Sequence, residues 1–264
     1  MANAARTFLV VLSVLCLGAV ALESSAAPRL KLPRDKKKQA NSVPPGIVIV
    51  IGGVGGWDIL PHTARFTLPL AGLPHEVREF VWTHGIGQVL KDLQDFRYLD
   101  EKADELAADI LVLKSRDPQR RIYLLAKSGG TGLALRAAEH LPPDTLERIV
   151  LLAAAVSPTY DLRPALRATR LEIVSFYSPL DQLILNLGTR QFGTIDRHYG
   201  PSAGLKGFTV PRDLDDGDRE LYERLIQIAW NPRMMRTGYF GGHESSGMPG
   251  FLATEILQIG RAHV

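Results

Sequence analysis

The sequence predicts an α/β fold, with a mostly parallel sheet, helices on both faces and no large lid domain. Strand and helix signals alternate along the chain. The strand candidates at residues 48–51, 121–126 and 148–155 are apolar over most of their length, as expected for strands buried on both faces. The interval between residues 155 and 171 is too short for an inserted lid domain. These observations favour the parallel, helix-covered class of sheet.

The first half of the chain supplies two strands and a helix. Residues 48–51 are a β-branched run that leads into the glycine-rich residues 52–56, which indicates a buried strand followed by a turn. Residues 77–83 are a second strand candidate. Apolar side chains recur at helical spacing between residues 99 and 115, and an Asp-Pro pair ends that pattern.

The second half continues the alternation. The strand at residues 121–126 is followed almost at once by Ser128 and by a helix at residues 131–140. The sequence further predicts strands at residues 148–155 and 171–177, and helices at residues 161–169, 221–229 and 251–259. Residues 183–218 are long, glycine-dotted and weakly periodic, which is typical of a rim or flap beside a site.

The N-terminal segment is expected to lie outside the fold. Residues 8–22 are almost wholly apolar and are followed by small residues, which is the layout of a secretory signal peptide. We therefore expect a signal peptide at residues 1–27, a basic and proline-containing linker at 28–45, and the folded domain at 46–264. The apolar run is shorter than the roughly 20 residues of a spanning helix, which favours an exported protein with no stable membrane span after cleavage. An uncleaved anchor stays open as the alternative.

The net charge of +3 does not indicate a nucleic-acid partner. Residues 28–41 alone carry six basic and one acidic side chain, a net +5, so +3 minus +5 leaves −2 for the rest of the chain. This basic stretch contains no aromatic residue, unlike an ordered nucleic-acid surface. It is interpreted as a solvated tether.

The turn at Ser128 carries the clearest chemical signal. The serine lies between a strand and a helix, and small residues, Ala126 and Gly130, stand two positions before and after it. A serine on such a sharp turn projects its hydroxyl above the sheet, and small neighbours let the strand and helix approach closely. The positive end of the following helix favours developing negative charge.

These residues resemble the nucleophile elbow of the α/β-hydrolase superfamily, usually written Gly-x-Ser-x-Gly, with Ala126 in place of the first glycine. The resemblance covers roughly residues 46–260 and implies a triad in the chain order serine, acid, histidine. Asp181 and His243 follow Ser128 in that order, after a late strand and before the last helix. The implied roles are Ser128 as nucleophile, His243 as general base and then acid, and Asp181 as the group that orients the imidazole.

The same resemblance implies an oxyanion hole made of two backbone N–H groups. One is the N–H of Gly129, the residue after the nucleophile. The other comes from the glycine loop at residues 52–56, where Val54 is preferred and Gly53 and Gly55 are rivals.

The sequence leaves rival assignments open for each member of the triad. Ser128 could merely cap the helix that follows it. His198 and His263 rival His243, and Asp161 rivals Asp181. His84 is interpreted as satisfying a local backbone bond.

Cofactor and metal sites are not expected. A phosphate-binding loop would need glycines where Arg121 and Ala126 stand, and a dinucleotide fingerprint would need a glycine in place of Asp58. The common metal motifs, such as His-Glu-x-x-His or paired cysteines, do not occur in the sequence.

The resemblance implies a serine hydrolase that cleaves an ester, thioester or amide, with a carboxylic ester as the expected class. Its expected partner is a small-molecule or lipid acyl substrate, and the oligomeric state is left open. The alternative is an exported binding protein that kept the fold and lost the chemistry.

Overall fold

The computed structural model describes residues 46–181 and 193–257. Six strands form one sheet: β1 (Ile47–Ile51), β2 (Glu76–Glu79), β3 (Ile122–Lys127), β4 (Arg148–Leu152), β5 (Ile173–Tyr177) and β6 (Leu225–Ala229). The helices in chain order are α1 (Ile59–Leu70), α2 (Val89–Gln94), α3 (Phe96–Arg116), α4 (Gly129–Glu139), α5 (Arg163–Ala168), α6 (Ala203–Lys206), α7 (Asp216–Glu223) and α8 (Pro249–Phe251). Two 3-10 turns, Pro232–Thr237 and Glu244–Gly247, precede α8, and a π-helical turn, Leu252–Ile256, follows it.

All five strand pairings are parallel, in the order β2-β1-β3-β4-β5-β6. After β1, the next strand, β2, is added on one side of β1, whereas β3 and all later strands are added on the other side. Ligands of such open sheets bind beyond the carboxyl ends of the strands, at the point where the order reverses. That point lies between β1 and β3, which lead into the glycine loop and into Ser128.

Alternate strand residues pack into two apolar layers. Ile49 and Leu124 face the side covered by α3, α4 and α5, whereas Val50 and Leu125 face α1 and the C-terminal helical segment. The parallel sheet with helices on both faces is thus confirmed. Between β4 and β5 the chain contains only α5 as regular structure, so no lid domain is inserted there.

One element expected from the sequence is wrong. Residues 221–229 are not a helix, because α7 ends at Glu223 and β6 follows as the edge strand of the sheet. The residues of β6 pair in parallel with β5, from Leu225 opposite Ile173 to Ala229 opposite Tyr177. Strand pairing overrides the local helical pattern here. The expected flap lies partly outside the described residues, and its described part contains α6 and the start of α7.

Candidate active site

Ser128 occupies a strained turn between β3 and α4. Its backbone has φ 54° and ψ −127°, a positive-φ conformation that is unfavourable for a residue with a side chain. Neighbouring hydrogen bonds hold this conformation: the Ser128 N–H donates to the carbonyl oxygen of Leu152 at 3.0 Å, and the Ser128 carbonyl accepts from Thr131 Oγ1 at 2.5 Å. The Ser128 side chain makes no capping hydrogen bond to α4, so the helix-cap interpretation does not apply.

Gly130 allows α4 to pack against the end of β1. A Cβ atom at this position would lie 2.3 Å from the carbonyl oxygen of Gly52 and 2.8 Å from the Ile51 side chain. No side chain fits in that space. The small residue two positions after Ser128 is therefore required by close backbone contact.

Asp181 and His243 meet at the same edge of the sheet. The Nδ1–H group of His243 donates to Oδ2 of Asp181 over 2.7 Å, and both residues are buried. The acid lies in a turn after β5, where the Asp181 N–H donates to the carbonyl oxygen of Ser178 at 3.1 Å. With Nδ1–H committed to the carboxylate, Nε2 is the nitrogen left for proton transfer in the neutral ring.

A glycine brings the histidine loop against the acid loop. Gly241 has φ 81°, and a Cβ atom there would lie 2.9 Å from the Leu180 side chain and 3.0 Å from Ser178 Oγ. Both the left-handed backbone and the close approach favour glycine at this position. The contact places the two loops that carry His243 and Asp181 directly against each other.

The environment raises the pKa of His243 above its usual value. Burial alone would lower it by disfavouring the imidazolium, and the charge of Lys127 acts in the same direction. The negative charge and the hydrogen bond of Asp181, with a contribution from Glu244, outweigh these effects. The imidazolium form of His243 is thereby stabilised.

The glycine loop is held by carboxylates on both sides of Val54. The Gly53 N–H donates to Asp58 Oδ2 at 2.7 Å, and the Gly55 N–H donates to Asp92 Oδ2 at 2.7 Å. Both N–H groups are therefore engaged, which counts against Gly53 and its rival Gly55 as oxyanion donors.

Val54 lies between these two anchored residues. In the described part of the chain, no hydrogen-bond acceptor is found for its N–H. Its side chain lies beside Gly129, where an added Cβ would come within 2.7 Å of Val54 Cγ1. The two preferred donors, Val54 and Gly129, are thus neighbours.

An ion cluster that sequence reasoning missed joins the same loops. Lys127, the residue before Ser128, is buried, with Nζ 2.8 Å from Glu244 Oε2 and 3.2 Å from Asp58 Oδ1. Glu244 is the neighbour of His243, so this ion pair links the nucleophile turn to the histidine loop. The only sequence signal was a lysine in an otherwise apolar strand.

The residues that rivalled Asp181 and His243 in the sequence make other contacts or lie outside the described residues. His198 is largely exposed, and its Nε2 lies 3.9 Å from Asp196 Oδ2. Asp161 is half-exposed and forms an ion pair with Arg163 at 2.8 Å. The Nδ1 atom of His84 lies 2.8 Å from Asp92 Oδ1, and His263 lies outside the described residues.

Neither a metal cluster nor a membrane-spanning helix is found within residues 46–181 and 193–257. No group of three or more His, Cys, Asp or Glu side chains is arranged there to hold a metal ion. No helix in those ranges has both the length and the apolar character needed to cross a membrane.

The sheet order, the helices on both faces and the strained serine turn after β3 define the α/β-hydrolase fold. Among solved structures, the chain is similar to a cutinase-like protein from Cryptococcus sp., at 12% identity and a TM-score of 0.42, over 81% of this chain and 95% of that one. It is also similar to the thioesterase domain from the curacin biosynthetic pathway, at 14% identity and a TM-score of 0.38, over 83% and 93%. No protein-family model and no curated protein matches the sequence.

Proposed function

We propose that the protein is a serine hydrolase that cleaves a carboxylic ester through an acyl-enzyme. The observation that carries this proposal is the buried His243–Asp181 hydrogen bond at the sheet edge where Ser128 occupies its strained turn. Thioesters and amides share the same chemistry and form the wider substrate class. The acyl group would come from a small molecule or a lipid.

In the proposed acylation step, Ser128 Oγ attacks the carbonyl carbon while its proton passes to Nε2 of His243. The tetrahedral intermediate collapses, and His243 returns that proton to the leaving alcohol, thiol or amine. Water then attacks the acyl-enzyme with His243 again as base, which releases the carboxylic acid and restores Ser128. Asp181 holds the ring in the required tautomer throughout and stabilises its cation.

The developing oxyanion would accept hydrogen bonds from the N–H groups of Gly129 and Val54. Removing a single oxyanion donor costs about 10²–10³ in kcat in serine hydrolases. The support for Val54 is that the N–H groups on either side of it already donate to Asp58 and Asp92. The N-terminal end of α4 adds its positive dipole at the same point.

Hydrolysis of a series of chromogenic carboxylic esters by the purified domain tests the proposal. We expect turnover by the wild type and a loss of about 10⁶-fold in kcat for Ser128→Ala. Ser115→Ala, at an exposed serine on α3 whose hydroxyl donates to the Val112 carbonyl, is the matched control and should behave as the wild type. A folded wild type without turnover, or a Ser128→Ala variant that keeps it, would favour a binding protein with this fold.

We further propose that the chain is exported, on the basis of its apolar and small-residue N-terminal pattern. N-terminal sequencing of the protein made in a secreting host tests this. A mature chain that begins near residue 28 supports export with cleavage, whereas an intact residue 1 on membrane-bound protein supports the uncleaved anchor.

A further inference from the structure

Lys127 is a buried cation that the proposed chemistry does not use. It is the last residue of β3 and immediately precedes Ser128, and its side chain is 1% exposed. Burial disfavours the ammonium ion, but the two carboxylates beside it more than compensate and raise the pKa of Lys127 above its usual range. The side chain is therefore charged, although it points into the protein.

One partner of this lysine is fastened to the glycine loop. Asp58 accepts hydrogen bonds from the N–H of Gly53 at 2.7 Å and from the N–H of Leu60 at 2.8 Å, in addition to its ion pair with Lys127. Burial would raise the pKa of Asp58, but Lys127 and these backbone donors lower it below its usual value. The carboxylate thus fixes the residue before Val54.

The other partner is fastened to the histidine loop. Glu244 follows His243 and begins a 3-10 turn, and its side chain is 29% exposed. One ammonium group therefore contacts carboxylates from the two loops that flank the nucleophile turn. The trio carries one positive and two negative charges, and apolar side chains of similar size would avoid the cost of burying them.

We propose that Lys127 is a positioning residue, whose ion pairs with Asp58 and Glu244 set the spacing of the glycine loop, the nucleophile turn and the histidine loop. This role rests on the proposed hydrolase function. Catalytic groups need to be held to within a fraction of an ångström, and a misplacement of about 1 Å can cost about 100-fold in rate. The trio supplies such a constraint, because Lys127 at the end of β3 is tied to the loop after β1 through Asp58 and to the loop after β6 through Glu244.

Two members of the trio, Lys127 and Glu244, also act electrostatically on His243. The charged groups acting on His243 are Asp181, Lys127 and Glu244. The charge of Lys127 lowers the pKa of His243, whereas that of Glu244 raises it. Removing the charge of Lys127 or that of Glu244 should therefore move the titration of His243 in opposite directions, whereas removing a buried charge remote from this site should leave it unchanged.

The test compares the wild type with Lys127→Met and Glu244→Gln, using kinetics with a chromogenic ester and an NMR titration of the His243 ring. We expect kcat to fall about 10-fold to 100-fold in both variants with KM little changed, as for lost alignment. The His243 titration should shift to higher pH in Lys127→Met and to lower pH in Glu244→Gln. Glu244 is partly exposed, so its variant remains informative if Lys127→Met does not fold.

Arg148→Met is the matched control. Arg148 is also buried and forms an ion pair with Glu172 at 3.0 Å. It lies at the start of β4, however, and so at the amino-terminal end of the strands, away from the candidate site. We expect this variant to lose stability while keeping kcat and the His243 titration of the wild type. Rescue of kcat in Lys127→Arg relative to Lys127→Met would support the role of the ion pairs.

The proposal is overturned if both variants match Arg148→Met in kcat and leave the His243 titration unchanged. The NMR titration does not depend on turnover, so it separates this proposal from the proposed function. Opposite titration shifts in a protein that hydrolyses no ester would reject the hydrolase activity while retaining the coupling of the trio to His243. Ester hydrolysis without those titration shifts would support the hydrolase activity and reject the coupling of the trio to His243.

Discussion

Nδ1 of His243 and Oδ2 of Asp181 lie 2.7 Å apart although 62 residues separate them in the chain. Both residues are buried, and the glycine at position 241 brings their loops together. We propose that this histidine, whose tautomer the carboxylate fixes, acts on Ser128, which occupies its strained turn at the same carboxyl end of the parallel sheet. This pair and the contacts that support it determine how the protein should respond to substitution and to pH.

We expect Asp181→Asn to lower kcat by about 10⁴-fold with little change in fold, because an amide cannot fix the tautomer or stabilise the imidazolium. Steady-state kinetics with a chromogenic ester measures the loss. Asp161→Asn is the control, since Asp161 pairs with Arg163 at the surface and should keep wild-type kinetics. Equal losses in the two variants would contradict the assignment of Asp181.

Hydrolysis should be lost at acid pH with a midpoint above 6.5, the usual pKa of histidine. His243 must be neutral to accept the proton from Ser128, and its folded pKa is raised because Asp181 outweighs burial. The pH profile of kcat/KM at constant ionic strength measures the midpoint. A midpoint below 6.5 would show that burial dominates instead.

The raised pKa of His243 also affects stability: a rise in pH should increase activity but decrease the free energy of unfolding. Because the folded pKa of His243 lies above the unfolded one, its contribution to the free energy of unfolding is fully present below about pH 6.5 and is lost as the pH rises through the folded value. Urea unfolding across this window should show a smaller pH dependence in His243→Ala. An identical dependence in that variant would exclude His243 as its source.

We expect Gly130→Ala to destabilise the fold by about 1–3 kcal/mol, because the new methyl group would press against the Gly52 carbonyl oxygen. Gly217→Ala is the matched control in α7, where an added Cβ meets only Asp215 Oδ1, at 3.5 Å. This variant should stabilise the protein by about 0.5 kcal/mol, since alanine favours the helix. Thermal unfolding measures both, and shifts of the same sign would contradict the packing argument.

Asp92→Ala should lower kcat about 10-fold by releasing the glycine loop. The Asp92 carboxylate accepts hydrogen bonds from the N–H groups of Gly55 and His84, and leaving buried donors unpaired also costs about 1–3 kcal/mol in stability. Kinetics and unfolding are compared with Asp95→Ala, which removes the cap of α3 and should cost about 1 kcal/mol without loss of kcat. Wild-type kcat in Asp92→Ala would show that Val54 needs no support from this side.

The sheet and the nucleophile turn were predictable because their signals are local. The apolar run from Ile47 to Ile51 directly indicates a buried strand. The small residues around Ser128 directly indicate a tight turn between a strand and a helix. β6 is not predictable in this way, because its residues form a strand by pairing with β5, a contact that the local sequence pattern does not contain. Helix α1 was not anticipated, since Pro61 and Pro69 obscure its pattern.

The order of Ser128, Asp181 and His243 along the chain suggested the candidate triad, but not its supports. In the sequence, Asp58 only argues against a dinucleotide-binding motif. In the fold, it accepts a hydrogen bond from the Gly53 N–H and forms an ion pair with Lys127. Such contacts join positions as far apart as Lys127 and Glu244, 117 residues along the chain. Only the folded sheet brings them together, so neither spacing nor composition could reveal them.

Covalent labelling with a fluorophosphonate, followed by peptide mapping, tests the central claim most directly. Such a reagent phosphonylates a serine only when neighbouring groups activate it. We expect one adduct, on the peptide that contains Ser128, which is lost in Ser128→Ala and forms much more slowly in His243→Ala. An unlabelled wild type that is folded, or an adduct on a different serine, would contradict the assignment of Ser128 as the nucleophile.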